Sequence, residues 1–375
     1  MRILHVLAET GWSGGEEQLA LVVRHLQANG HLNELALVPG ARFGALAAEL
    51  SLPLYDVDLR RPLRHRGMAD LRNAFRAAQP DLVHFGCGRS LLWGGLALRG
   101  TRNVAKVTTR RIDYAIGRWP WAGGRYRWLV DHVIGNCQAV VRRIVDAGVP
   151  PERVSLVHEG IDPAPFRDVT ARRAAARQRF AIAPGAMVIA CAATLRPRKG
   201  QRTLIDAIAA LADRFRNVVL LLAGGGTDLA ELRTHARVRG IANQVRLPGP
   251  VRPIQDVFAA CDVFAMASWH EGLTNACLEA AAAGLPQVVS SAGGLPEIVA
   301  DGESGFVVPP GDTAAFADRI ASLLADERLR RAAGLAGRRR VEERFTAERM
   351  VRTTEELFEH LVARARSVAG AHATR

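Results

Sequence analysis

The sequence predicts an α/β chain of two Rossmann-like, doubly wound parallel-sheet domains, and three observations carry that prediction. Short apolar, β-branched runs alternate with helix-length stretches through the first half of the chain, and the same alternation starts again at Met187. The length, 375 residues, suffices for two separate cores.

Taken in order, strands are expected at residues 2–9, 34–38, 54–58, 81–85, 103–108, 132–136 and 154–158. After the restart they are expected at 187–193, 218–223, 245–247, 262–267, 287–290 and 306–308. Helical spacing of apolar residues marks 313–326 and 347–363, and an alanine-rich helix starts near Thr274. Prolines bracket an Arg/Ala-rich segment over 161–184, which sets the domains at 1–165 and 166–350. The start, MRILHVLAE, reads as a first strand and has neither the charged region nor the cleavage site of a signal peptide. No run reaches the roughly eighteen apolar residues a membrane span needs. A cytoplasmic protein is therefore expected.

The formal charge is +13, with 21 basic and 15 acidic residues up to residue 165 and 29 and 22 beyond it. Both halves are basic, which points to anionic partners. Of the basic residues only Lys106 and Lys199 are lysines, so a lysine here is a candidate for a specific role. The five cysteines are widely spaced without a CxxC pair, and are read as reduced and structural. No nucleic-acid recognition motif accompanies the charge, so no nucleic-acid partner is expected. Asp56 and Asp58 form a D-x-D that alternation along a strand explains.

The most informative stretch is 268–299, SWHEGLTNACLEAAAAGLPQVVSSAGGLPEIV. Glu271 lies in the loop after an apolar run, and Glu279 lies in the helix that follows, so both can face the helix's N-terminal end. Such an end carries unpaired N–H groups and partial positive charge, and suits a phosphate or a sugar. The structural alternative is a capping acid at Glu271 and a solvated acid at Glu279. The glycines of GGLPE at 293–297 let backbone approach a ligand closely. Gly14 and Gly15 stand where the first strand turns into a helix, again placing backbone N–H groups for a phosphate. Glu17 is assigned to the helix.

Together these motifs resemble glycosyltransferase family 4. The pair spaced E-x7-E, then A-x-G-x-P and G-G-x-P-E, is similar to its donor-site pattern, and the resemblance covers nearly the whole chain. It implies the GT-B fold, two Rossmann-like domains facing a central cleft, with the last helix, about 351–375, packing back on the first domain. It further implies a retaining enzyme that moves a sugar from a UDP-, GDP- or ADP-sugar to a saccharide or lipid-linked acceptor, with no metal or other cofactor. Cell-envelope polysaccharide or lipopolysaccharide synthesis is the expected setting.

Residue by residue, the resemblance assigns Glu271, Lys199, Arg196 and Asp113 to catalysis. It assigns Gly15, Arg198, Gly272, Leu273, Thr274, Asn275 and Glu279 to donor binding. Lys199 is in register with the lysine of the family's G-R-L-x-P-x-K-G, whereas Thr194 stands at the common arginine position, so Arg196 or Arg198 supplies the second cation and Arg196 is favoured. In TTRRIDYAIG the family's usual histidine is missing; Arg110, Arg111 and Asp113 stand there, and Arg111 is a candidate acceptor or phosphate contact. Glu159 replaces an asparagine usual at the end of the first domain, and Cys137 a serine.

His84, on the fourth strand, is read as packing or bonding locally. From Arg99 to Arg127 eight basic residues and one acid, Asp113, surround Trp119 and Trp121, with Trp128 just after them. This mixture suits an anionic inner-leaflet surface, and core packing of the tryptophans is the alternative. Three other readings stay open: a sugar-nucleotide epimerase or phosphorylase on the same fold, and a nicotinamide-dependent oxidoreductase. Against the last, LLLAGGGTDLAEL lacks the final glycine of the dinucleotide fingerprint.

Overall fold

A computed structural model describes residues 1–60, 65–101, 103–117 and 120–373. They form two compact units, one made of Met1–Glu159 with Ala347–Arg375 and the other of Gly160–Thr346. These limits differ from the 165 and 350 drawn from the sequence. Glu159 ends the loop after the last strand of the first unit, and the final helix is continuous from Ala347.

The first unit alternates strand and helix throughout. It runs β1 (Arg2–Leu7), α1 (Gly14–Ala28), β2 (Leu32–Leu37), α2 (Gly44–Leu50), β3 (Leu54–Asp56), α3 (His65–Ala78) and β4 (Leu82–Phe85). It continues with α4 (Gly88–Ala97), β5 (Ala105–Arg110), α5 (Pro120–Trp128), β6 (His132–Gly135), α6 (Gln138–Asp146) and β7 (Val154–Leu156). The strands form one sheet in the order β3-β2-β1-β4-β5-β6-β7, every pair parallel. Strands covered on both faces read as continuous apolar runs, which is why β1 and β4 are buried almost end to end. The start of α1 is held by a local bond: the Ser13 N–H donates to Glu16 Oε2 at 2.8 Å.

The second unit repeats the plan. It consists of α7 (Arg173–Arg179), β8 (Met187–Ala192), α8 (Gln201–Leu211), β9 (Val218–Ala223), α9 (Leu229–Val238), β10 (Val245–Gly249), α10 (Gln255–Ala260) and β11 (Val263–Met266). Then come α11 (Asn275–Ala282), β12 (Gln287–Ser290), α12 (Leu295–Ile298), β13 (Gly305–Val308), α13 (Thr313–Ala325) and α14 (Glu327–Arg344). Its sheet order is β10-β9-β8-β11-β12-β13, again all parallel.

Helix α14 has no counterpart in the sequence reading. Asp326 caps it, its carboxylate accepting the N–H groups of Arg328 and Leu329 at 2.8 and 3.0 Å. Its buried face is made of Ala333, Gly334, Ala336, Gly337 and Val341, so the apolar stripe is too thin to stand out among its arginines.

The chain then returns to the first unit as α15 (Ala347–Ala373). Met350, Val351, Phe358, Leu361 and Val362 of α15 share one buried cluster with Ile3, Leu82, Val107 and Ile134 of the sheet and Val22 and Leu26 of α1. A second cluster of that unit joins Leu7, Leu35 and Leu37 to Leu19 and Val23 of α1 and to Phe43 and Leu46.

Candidate active site

In a doubly wound sheet, ligands bind outside the carboxyl ends of the strands where the order reverses. In the second unit that point lies between β8 and β11, so the loops after those two strands frame it. After β8, Pro197–Lys199 make a single 3-10 turn, and Gly200 at φ +67 carries the chain into α8. A Cβ on Gly200 would lie 1.9 Å from the carbonyl oxygen of Ala267. Only glycine lets the two loops meet this closely. The Trp269 N–H then donates to the Arg198 carbonyl at 2.8 Å and joins them.

The contact brings together two residues 72 apart in sequence. Lys199 Nζ donates to Glu271 Oε1, an oxygen that also accepts from Ser268 Oγ at 2.7 Å. Both residues are buried, Lys199 at 9% and Glu271 at 6% exposure. Ser268 is itself held, since the Ser290 hydroxyl donates to its carbonyl at 2.6 Å. Glu271 is fixed from the other side by the GGLPE turn: a Cβ on Gly293, at φ +55, would sit 2.2 Å from the Glu271 carbonyl oxygen, and the Gly294 N–H donates to the Gly272 carbonyl at 3.0 Å.

Leu273 is buried, and Thr274, in extended conformation, is the N-cap of α11 without using its side chain as a cap. Asn275 opens the helix, and Glu279 is half-buried one turn in. Arg196, exposed, precedes the 3-10 turn; Arg198 is half-buried and 3.5 Å from the His270 carbonyl. Beneath the pair, burial pushes the Cys191 thiol up to about 12, with Lys199 opposing it, and pushes Cys277 well up too. Neither thiol is a nucleophile at neutral pH.

In the first unit the order reverses between β1 and β4, and the loop after β1 carries Gly15 into α1. The nearest atom to a Cβ at Gly15 is Arg111 Cδ at 3.4 Å. Arg111, just past β5, is half-buried; its Nε donates to Glu159 Oε1 at 2.8 Å and its guanidinium lies 3.4 Å from the Gly86 carbonyl. Asn136 Nδ2 donates to the other Glu159 oxygen at 3.0 Å, while the buried Asn136 Oδ1 has no hydrogen-bond partner among the described residues. Two of the departures from the family pattern, Arg111 and Glu159, are thus partners of one ion pair. Asp113 is buried in the same loop, and its backbone carbonyl is 3.3 Å from Arg143 Nε. His84 is buried between His5 and Thr109, 3.3 Å and 2.9 Å away, and burial holds its pKa well below the usual imidazole value.

The sequence singled out Lys199 and Glu271 but gave them separate roles; their mutual contact was missed. The strand order supplies the signal, since the loops after the first and fourth strands of such a sheet meet at its reversal. Ser268 and Ser290 carried no pattern of their own. The GGG turn after β9 packs against backbone, a Cβ at Gly226 falling 2.1 Å from the Leu195 carbonyl oxygen.

Two units of all-parallel sheet, the second with a lysine–glutamate pair at its reversal point, define the GT-B class of glycosyltransferase folds. Residues 12–165 match the family described as Glycosyltransferase Family 4, and residues 186–326 match Glycosyl transferases group 1. The chain is 35% identical over 276 residues to the GDP-mannose-dependent alpha-(1-6)-phosphatidylinositol monomannoside mannosyltransferase of Mycolicibacterium smegmatis, covering 69% of this chain and 71% of that one. It is also 35% identical over 205 residues to the protein of the same name from Mycobacterium tuberculosis, covering 52% of this chain and 53%, about half, of that relative's length. The chain belongs to glycosyltransferase family 4. Its fold is that of Anabaena HepE, solved in complex with UDP, at a TM-score of 0.85 and 22% identity over 96% of this chain and 100% of that one.

Proposed function

We propose that the protein is a retaining glycosyltransferase that moves a sugar from a nucleoside diphosphate sugar to a saccharide or lipid-linked acceptor of the cell envelope. The observation that carries this reading is the buried Lys199–Glu271 pair at the sheet's reversal point. Negative charge develops on the departing diphosphate, and preformed cations stabilise it most where water is scarce. Lys199 with Arg196, or Arg198 in its place, supplies that charge, together with the start of α11 after Gly272. Glu271 and Glu279 accept hydrogen bonds from sugar hydroxyls. In the first unit, the Gly15 loop takes the role of a phosphate-facing turn, Asp113 serves the acceptor or donor hydroxyls, and Arg111 contacts the acceptor or a phosphate. No metal is needed for these roles, so EDTA should leave transfer unchanged; strong inhibition would contradict the mechanism.

The relatives are named for GDP-mannose and the structural neighbour holds UDP, which supports both nucleotides as candidates; ADP-sugars complete the panel. The test is thermal shift with UDP-, GDP- and ADP-sugars, because a donor that binds only the folded chain raises Tm. A panel in which none shifts Tm, with no transfer to any lipid or saccharide acceptor, would overturn the reading. Sugar epimerisation without an acceptor would instead favour the epimerase alternative.

Within the same reading the 99–128 segment docks on the anionic inner leaflet, in a protein otherwise cytoplasmic. Among the described residues no helix is long and apolar enough to cross a membrane. Trp128 is 58% exposed and Arg127 is exposed, while Arg125 lies over the Tyr126 ring at 5.0 Å. Arg118 and Trp119 lie outside the described residues, as does the side chain of Trp121. Co-sedimentation with anionic vesicles should fall with salt and on neutralising Arg125 and Arg127. Indifference of the wild-type chain to such vesicles at low salt would leave a water-soluble acceptor as the better choice.

A further inference from the structure

We propose that His31, Glu355 and Glu359 form a binding site for a divalent transition cation of the zinc type, which pins the last helix to the first unit. The sequence folds these three, with His25 behind them, together for simple reasons. His25 lies in the last turn of α1, and the turn through Asn29 and Gly30 brings His31 to the start of β2. Glu355 and Glu359 are four residues apart on α15 and so share one of its faces.

The donor atoms converge. His31 Nε2 is 2.8 Å from Glu355 Oε1, while His25 Nε2, 2.8 Å from the other oxygen of Glu355, stands outside the set and orients that carboxylate. Glu359 Oε1 stands 3.9 Å from His31 Nε2, and the donor atoms of His31, Glu355 and Glu359 all lie within 4.8 Å of one another. A tetrahedral ion with bonds of about 2.0–2.1 Å keeps its ligands about 3.3 Å apart, and the observed spacings bracket that value. Hydrogen bonding accounts for Glu355, which accepts from the imidazoles. It does not account for Glu359, which is beyond hydrogen-bond range of His31.

Mixed imidazole and carboxylate donors favour zinc, cobalt or nickel over magnesium or calcium. Asn29 Nδ2 lies 2.9 Å from both Glu355 oxygens and holds that carboxylate in place, the service outer groups give to metal ligands. His31 is buried and Glu359 is 58% exposed on its side chain, so one side of the site is fixed while the other is open to water and to the entering ion. The site is remote from the glycine turn of the same unit. Gly15 lies in the first turn of α1 and His25 in its last, and the ten residue steps of helix between them rise about 15 Å. The ion therefore has a structural role, bridging residues 324 apart in sequence.

The test uses the full chain without a polyhistidine tag, stripped with EDTA. Titration with Co2+ should give the visible absorption of a tetrahedral site, saturating at one equivalent and displaced by Zn2+, and Zn2+ should raise Tm by about 5 °C. Glu359→Gln, at an exposed position that leaves the fold undisturbed, and His25→Asn should each lower affinity at least about tenfold. Absence of the Co2+ band, or Zn2+ affinity and Tm shift unchanged in both variants, overturns the proposal.

Discussion

Replacing Lys199 by methionine keeps the length of the side chain and removes its charge, leaving Glu271 at 6% exposure with the Ser268 hydroxyl as the remaining donor the structure shows it. Breaking one side of a buried pair costs about 3–5 kcal/mol, because the other charge stays where water cannot reach it. Glu271→Gln should cost a similar amount by isolating Lys199 at 9% exposure. Were the two residues independent, the double variant would lose about 6–10 kcal/mol. With the pair as described, the double variant holds no uncompensated charge, and its glutamine still accepts from Ser268. It should lose no more than the worse single change, a coupling of at least about 3 kcal/mol. Urea unfolding of the four proteins, followed by circular dichroism at neutral pH, measures this cycle. Losses that add to within about 0.5 kcal/mol would show that the two side chains do not interact in solution.

Three further outcomes are expected. Glu279→Gln should remove most transfer activity while leaving Tm within a degree or two, since this half-buried acid is assigned to donor hydroxyls; wild-type transfer rates would cancel that assignment. Gly293→Ala must push the Glu271 loop away from a 2.2 Å overlap and hold alanine at φ +55, costing on the order of 1–2 kcal/mol; nucleotide affinity measured by calorimetry should fall, and an unchanged value would mean the turn does not shape the site. Burial lowers the His5 pKa to about 4, against an unfolded value near 6.5, so below pH 6.5 the unfolded chain binds the extra proton and stability drains away as pH falls toward 4. Between pH 7 and 5 His5 should account for roughly 2 kcal/mol of lost stability, and an equal pH slope in His5→Gln would refute its role.

Much of the architecture was legible because parallel strands buried on both faces are written as apolar runs. All thirteen expected strands are present, with ends displaced by a few residues. The displacement matters at β5, which ends at Arg110, so that Arg111 opens the loop. Helix α14 was illegible because its buried stripe is alanine and glycine, residues that carry little hydrophobic contrast. The site was legible as residues and illegible as contacts. Lys199 and Glu271, like Arg111 and Glu159, are joined across 72 and 48 positions, and nothing in local spacing records which loop a side chain will meet.

The place of α15 in the buried core of the first unit bears on how the protein is made. A ribosome delivers residues 1–159 first, yet Met350, Phe358, Leu361 and Val362, which close that core, emerge last. The continuous segment from Gly160 to Thr346 is complete before them. Folding during synthesis therefore finishes in the middle of the chain before it finishes at the beginning, the reverse of the usual N-terminal-first order. A message cut short after residue 346 yields a second unit able to mature beside a first one whose apolar face has no cover, and such a product is prey for chaperones and proteases.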